Sequence, residues 1–305
     1  MVNACWNALS QLVSEDERII VMGSDSMNIR EKFPVENRKQ YIEMGIAESN
    51  MVGAAAGIAS CGIIPYVYGV SPFLVYRANE FIRDDVCLQK RNVKIIGYSA
   101  GMDYCTSGPT HHTTEDIAML RVLPNLTILS PASAKEVEKM VKGAAIIEGP
   151  VYIRLNRESN REIHLRDYYF EFGKAQILCS GDELTIVTTG SITYDVLQAV
   201  NRVKGNISIR VLNMGTIKPL DEIAILTAAK ETGKIITVEE HSIIGGLGSA
   251  VAEVLAEANA NARLIRMGLK DTFAVGYGNH DEIKKMNGLS IDDIIRTIYK
   301  FVMEE

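Results

Sequence analysis

Carboxylate, imidazole and guanidinium groups gather in four stretches of this sequence. The first is Tyr41-Ile-Glu-Met-Gly-Ile-Ala-Glu-Ser-Asn-Met-Val-Gly-Ala-Ala-Ala-Gly-Ile-Ala, which puts Glu48 at the mouth of an apolar, small-residue helix. Such a helix has poor intrinsic propensity and makes sense if another backbone packs closely on it. A carboxylate at a helix start is either a cap and dipole partner or a group held there for a ligand. Beside a dry surface it needs a specific partner or a changed pKa. The second stretch, Ser71-Pro-Phe-Leu-Val-Tyr76, offers Phe73 and Tyr76. These are either core packing or a flat wall on which a planar ring stacks. The third, Cys105-Thr-Ser-Gly-Pro-Thr-His-His-Thr-Thr-Glu115, is a polar loop with two adjacent histidines, which can move protons or bind oxyanions near neutral pH. No third ligand of suitable spacing accompanies them, so no metal site is expected. The fourth is Arg154 with Arg157, either a phosphate or carboxylate grip or ordinary ion pairs.

The elements that must position these residues alternate strand and helix throughout, the pattern of a parallel α/β sheet. An apolar stripe over 2–14 predicts a helix, Ile19-Ile-Val-Met a strand, 48–60 a helix and Ile63–Tyr68 a strand. Further helices are expected at 75–90, 114–121 and 134–147, the last capped by Ser133, with strands at 93–97, 126–129 and 151–154. Ligand loops in open α/β sheets leave the carboxyl ends of the strands. Gly23-Ser24-Asp25, Gly69–Pro72, Ser99-Ala-Gly and Arg154–Arg157 all fall there. The charged, aperiodic segment 156–172 reads as a connection to a second α/β unit. That unit has strands near 184–189, 207–212, 234–239 and 263–267 and helices near 193–203, 220–231, 247–258 and 291–302. Ser290 and Asp293 make a capping-box-like start for the last helix. Gly245-Gly-Leu-Gly248 lacks the third glycine and distant acid of a dinucleotide fingerprint and reads as a tight turn.

Length, at 305 residues, suggests about two domains, and 47% apolar with 23% charged residues is ordinary for a soluble chain. A net charge of -6 argues against nucleic acid or an anionic membrane surface as partner. No run is long enough to span a membrane, and no secretory signal is visible. Five scattered cysteines without a C-x-x-C pair fit a reducing cytoplasm rather than a disulfide framework.

Taken together, Met44-Gly-Ile-Ala-Glu48-Ser-Asn-Met-Val-Gly, Gly108-Pro-Thr-His111, Glu115-Asp-Ile-Ala-Met-Leu-Arg-Val-Leu-Pro-Asn125, Gly149–Arg157 and Val238–Ser249 resemble the transketolase family over nearly the whole chain. The resemblance is to its C-terminal half and implies two consecutive open, mostly parallel α/β domains. These would be a pyrimidine-binding domain over 1–160, a linker over 161–172 and a C-terminal domain over 173–305. It implies thiamine diphosphate chemistry, with the cofactor as electron sink for transfer of a two-carbon ketol unit from a ketose to an aldose. Glu48 matches the acid that hydrogen-bonds the aminopyrimidine ring. Phe73 and Tyr76 match the aromatic wall around that ring, and Asp25 an acid near the cofactor. His111 matches a histidine that contacts the sugar and moves protons; Arg157 matches a grip on the substrate phosphate.

The departures matter equally. Nothing here matches the family's diphosphate- and Mg²⁺-binding domain with its Gly-Asp-Gly motif, so the resemblance implies a split enzyme, active with an N-terminal-half partner subunit. A self-dimer contact through the Glu48 helix is expected. Ser107 stands where the family has an Asp that reads substrate hydroxyls, and Ser99 where a phosphate-contacting His is common. Val2 lies near the position of a missing Arg, so sugars or sugar phosphates both remain candidate substrates. Two other readings stand beside this one: a 2-oxo-acid dehydrogenase β subunit or 1-deoxyxylulose-5-phosphate synthase-like enzyme, and an inert stabilising or regulatory subunit.

Overall fold

A run such as Ile64-Pro-Tyr-Val-Tyr-Gly-Val is apolar on both faces of its pleat and belongs in a sheet covered on both sides. All seven of these residues are buried in β3 (Ile64–Val70) of the computed structural model, which describes residues 1–25, 29–157, 161–164 and 168–303. Around it lie β1 (Ile19–Gly23), β2 (Tyr41–Glu43), β4 (Lys94–Tyr98), β5 (Thr127–Leu129) and β6 (Val151–Leu155). Their order is β5-β6-β4-β3-β1-β2, all parallel. The helices of this unit are α1 (Val2–Glu15), α2 (Glu48–Ala59), α3 (Asn79–Phe81), α4 (Asp116–Arg121) and α5 (Ala134–Ala144). α1 and α5 cover one face through Trp6, Leu9, Val137 and Met140; α2 covers the other through Met51, Val52, Ala55 and Ala56. The chain leaves β1 toward β2 at one edge and then crosses to β3 on the far side. This reversal creates a crevice at the carboxyl ends of β1 and β3, where open α/β sheets bind ligands.

The second unit is a smaller sheet of β7 (Gln176–Cys179), β8 (Leu184–Thr188), β9 (Ile209–Asn213), β11 (Lys234–Ser242) and β12 (Arg263–Leu269), in the order β12-β11-β8-β9-β7. Only β7 runs antiparallel in it. Its helices are α6 (Thr193–Val203), α7 (Glu222–Thr232), α8 (Leu247–Glu257), α9 (His280–Met286) and α10 (Ile291–Met303). α7 and α8 share one apolar cluster with α2 and α4, so the two units are joined by core packing. A short strand, β10 (Thr216–Lys218), leaves the second unit and pairs antiparallel with β5 as the edge of the first sheet.

The chain is therefore two α/β units with mostly parallel sheets, and the expected helices and strands are present. Ser133 caps α5 through the Glu136 amide, and Ser290 and Asp293 exchange side-chain and backbone hydrogen bonds at the start of α10. The helix expected over 114–121 begins at Asp116, because the preceding backbone is diverted: Thr113 bridges Gly101 and the Thr114 carbonyl accepts the Ser242 amide. The helix expected over 75–90 is wound mostly as π-helix, over Phe73–Arg77 and Ile82–Leu88. Four elements escape periodicity. β2 and β10 are only three residues each, β7 is a half-exposed edge, and α9 follows a polar Gly-rich segment. The expected boundary at residue 160 and positions 165–167 of the expected linker lie outside the described residues. None of the described helices is long and apolar enough to cross a membrane.

Candidate active site

The end of β1 sets the start of α2. Ser24 Oγ donates to the Gly45 carbonyl at 2.8 Å, and the Met44 amide donates to the Gly23 carbonyl at 2.8 Å. This fixes the turn 44–47, from which α2 starts with Ala47 at the N-cap and no side-chain cap. Glu48 is the first helical residue, so the cap reading fails. Its carboxylate is only 5% exposed yet has a single partner among the described residues, Arg77 Nη1 at 3.4 Å from Oε2. A buried carboxylate with one long ion pair is expensive to hold unless another donor joins it. The helix dipole gives part of the compensation.

Arg77 belongs to the π-turn that follows β3, and its guanidinium lies 4.3 Å from the centroid of Phe73. Phe73 is half-buried and meets the His111 ring edge-on at 5.1 Å. His111 also contacts Tyr104, again at 5.1 Å, while its Nδ1 is engaged by Thr110 Oγ1 at 2.9 Å. Tyr76, one turn beyond Phe73, donates its hydroxyl to Glu115 Oε2 at 2.5 Å. Burial, then Asp116 and Glu115, push its phenol far above the usual range, so it stays a neutral donor. Phe73, Tyr104 and His111 thus form one aromatic group beside Glu48, with Tyr76 bonded to the end of the same loop.

A second group forms the rim. Asp25 is exposed with φ 50°. Tyr98, stacked on Tyr68 at 4.7 Å, is pushed up to about 12 by burial and by Tyr104, and Arg157 and Asp25 also act on it. That places Asp25, Tyr104 and Arg157 each within electrostatic reach of Tyr98. Arg157 is exposed, lies 5.1 Å from the Tyr104 ring centroid, and has no ion pair among the described residues. Ser99 is buried at φ 60° with its hydroxyl unpartnered among the described residues, and Ser107 is half-buried in the loop.

Other candidates fall out of the site. Arg154 is buried against Asp116, with Nε 2.9 Å from Oδ2, and Nη2 donates to the Thr113 and Glu240 carbonyls. It is a structural guanidinium. Cys105 is buried and its Sγ donates to the Met102 and Asp103 carbonyls. At Gly245–Gly248 the place of a bound anion is filled by the protein itself: Glu239 accepts the Leu247 and Gly248 amides at 2.7 Å each. A Cβ at Gly246 would lie 2.1 Å from that carboxylate, which explains the glycine. Gly53 is packed by its own chain, since a Cβ there would meet Phe81 at 3.2 Å, whereas a Cβ at Gly57 would face open space.

Sequence reasoning took His112 only as one of an adjacent pair, and it missed Asp103, Glu240, His280 and Tyr277 around the loop. His112 is buried with neither ring nitrogen hydrogen-bonded among the described residues, and burial lowers its pKa, so it is neutral at pH 7. Asp103, Glu240 and His280 lie behind the loop, brought there from three elements. Tyr277, 66% exposed, covers Gly108, where a Cβ would sit 2.5 Å from its ring. No local spacing marks these contacts. A hollow of about 650 Å³ lined by Arg266, Phe273, Met286 and Lys300 lies on the C-terminal unit and contains none of the site residues.

Comparison with known proteins finds relatives over nearly the whole chain. The family described as "Transketolase, pyrimidine binding domain" matches residues 1–162, and "Transketolase, C-terminal domain" matches 173–294. The chain is 40% identical over 302 residues to a subunit of the apulose-4-phosphate transketolase of Phocaeicola vulgatus, covering 97% of this chain and 95% of that one. It is 34% identical over 295 residues to a 6-deoxy-6-sulfo-D-fructose transketolase subunit of a Clostridium species, covering 96% and 91%. A solved structure titled "Split gene transketolase, inactive beta4 tetramer" superposes with a TM-score of 0.89 at 37% identity, covering 98% of this chain and 97% of that one.

Proposed function

Because the chain belongs to the transketolase family, we propose that it is the pyrimidine-binding and C-terminal half of a two-chain transketolase. In this reading the pyrimidine-binding domain spans 1–160, a linker 161–172 and the C-terminal domain 173–305. A partner subunit then carries the diphosphate-binding domain and Mg²⁺, and the assembly moves a two-carbon ketol unit from a ketose to an aldose. The observation that carries the reading is Glu48, a buried carboxylate at the head of α2 with one partner at 3.4 Å.

The residues present fit an aminopyrimidine ring: Glu48 supplies an acceptor that lacks a close donor, and Phe73 supplies an aromatic surface beside it. Thiamine diphosphate, when bound, supplies the electron sink that ketol transfer needs. Glu48 holds and orients a ring nitrogen through its carboxylate, keeping the proton of that hydrogen bond in place. Tyr76, neutral and tied to Glu115, braces the loop behind that ring. Asp25 stands at the cofactor-facing rim. His111 has Nδ1 engaged by Thr110, which leaves Nε2 to hydrogen-bond a sugar oxygen and pass a proton. Ser99 and Ser107 offer hydroxyls for the sugar. Arg157, exposed and without an ion pair among the described residues, suits an anionic group at the far end of the ketose. Two relatives are named for ketoses that carry one, a phosphate in the first and a sulfo group in the second.

Self-association adds to this reading. Ile46, 72% exposed in the turn before α2, and Gly57 of α2, where a Cβ would meet open space, mark the surface proposed for a second copy. Free thiols at all five cysteines fit a cytoplasmic setting. The test is reconstitution: the chain, a candidate N-terminal-half partner, thiamine diphosphate and Mg²⁺ are mixed and ketol transfer to an aldose is measured. Activity should require both chains. Absence of transfer with every candidate partner, or reductive acylation of a lipoyl domain from a 2-oxo acid instead, overturns the reading.

A further inference from the structure

We propose that His280, a residue of the C-terminal unit, is a positioning residue for the loop that carries Tyr104, Ser107 and His111. The kinetic part of this proposal rests on the ketol-transfer reading above; the structural part does not. The loop closes at a two-residue neck, where the Gly101 amide donates to the Thr113 carbonyl at 3.0 Å and the Thr113 amide returns to Gly101 at 2.7 Å. The C-terminal unit grips that neck. Glu240 accepts the Met102 amide, the Ser242 amide donates to the Thr114 carbonyl at 2.7 Å, and Arg154 bridges the Thr113 and Glu240 carbonyls. The fit is tight: a Cβ at Gly101, where φ is +68°, would stand 2.5 Å from Glu240 Oε1.

His280 holds this grip together. Its Nε2 lies 2.9 Å from both Glu240 oxygens, and its Nδ1 lies 3.9 Å from Asp103 Oδ1. Asp103 in turn accepts the Arg157 amide through Oδ2. One imidazole therefore stands between two buried carboxylates, one fastening the loop at Met102 and the other fastening the strand end that carries Arg157. Two carboxylates this close and this dry cannot both stay ionised without a cation between them. Burial alone would raise the Glu240 carboxyl; the charge and hydrogen bond of His280, the charge of Lys284 and the Met102 amide bring it down to about 2. Lys284 is itself tied to Asp195 and Asp281, and His112 is neutral, so neither replaces His280. A catalytic loop displaced by about 1 Å can cost on the order of a hundredfold in rate, so a clamp of this kind is felt at the substrate.

The test compares wild type with His280→Gln and Glu240→Gln. In the assembled enzyme, kcat/KM for the ketose should fall about tenfold or more, mainly through KM, with thiamine diphosphate affinity by calorimetry changed less than about twofold. In the chain alone, amide hydrogen exchange over 101–113 should speed up about tenfold while β8 amides are unchanged. Asp103→Asn approaches the same clamp from its other side and should reproduce both effects if either first variant fails to fold. Folded variants with wild-type exchange over 101–113 and wild-type KM overturn the proposal. If the wild-type assembly shows no ketol transfer at all, the proposed function fails, and the exchange measurement still decides the clamp.

Discussion

Replacing Asp116 by Ala should destabilise the chain more than any surface change. Asp116 is fully buried, and its carboxylate takes Arg154 Nε at 3.1 and 2.9 Å and the Tyr152 hydroxyl at 2.8 Å. Burial alone would lower the pKa of Arg154, and Asp116, Tyr152 and Glu240 push it up instead, so the guanidinium stays charged. Removing the acid leaves a buried cation without its counter-charge, while the Tyr152 hydroxyl keeps only Ser71 Oγ at 2.9 Å; losing the partner of a buried charge costs about 3–5 kcal/mol. Replacing both members of such a pair by apolar side chains removes the charges together and is often close to neutral. Asp116→Ala with Arg154→Met should therefore be less destabilised than Asp116→Ala alone. Urea unfolding of the two single variants and the double variant, run as a cycle, gives the coupling. A loss below about 1 kcal/mol for Asp116→Ala, or simple additivity in the double variant, would refute the reasoning.

Three further outcomes follow from other contacts. Gly246→Ala forces Glu239 away from the Leu247 and Gly248 amides and should cost about 1–3 kcal/mol by thermal unfolding, because a buried carboxylate loses its donors. Gly108→Ala meets both a positive φ of 72° and the Tyr277 ring, and should lower ketol transfer in the assembled enzyme, with Tyr277→Gly restoring part of it. Lys94 is buried, donates to the Ile147 and Gly149 carbonyls, and is pushed by burial down to about 7. Its folded pKa lies below the unfolded value of 10.5, so the unfolded chain binds the extra proton between them and stability climbs with pH across that window. The slope should be about 1 kcal/mol per pH unit and should vanish in Lys94→Met, as read by unfolding at a series of pH values.

How far the site could be read from the sequence depended on how local its parts are. Glu48, Phe73 and His111 each sit in a short contiguous motif at the carboxyl end of a strand or the start of a helix, and alternation of strand and helix predicts where those ends fall. The alternatives were closed only by packing. Glu48 is not a cap because Ala47 holds that position, and Arg154 is no anion grip because β6 carries it into the interior beside Asp116. His280, Glu240 and Asp103 could not have been grouped, since they come from α9, β11 and a loop after β4, and their distances exist only once the two units pack. β10 escaped for the same reason: its one strand partner among the described residues belongs to the other unit. The small residues of α2, expected to face another chain, are accounted for at Gly53 by Phe81 of the same chain.

The central claim is that Glu48 is held for the cofactor rather than for the fold. Ketol transfer by the reconstituted two-chain enzyme, measured for wild type and Glu48→Gln at saturating thiamine diphosphate, tests it most directly. The substitution keeps shape and burial but removes the charge. It should lower the rate by about 10²–10⁴ while the thermal midpoint of the chain is held or raised, because among the described residues the buried carboxylate has only Arg77 at 3.4 Å to lose. A Glu48→Gln enzyme that transfers the ketol unit at the wild-type rate would contradict the account.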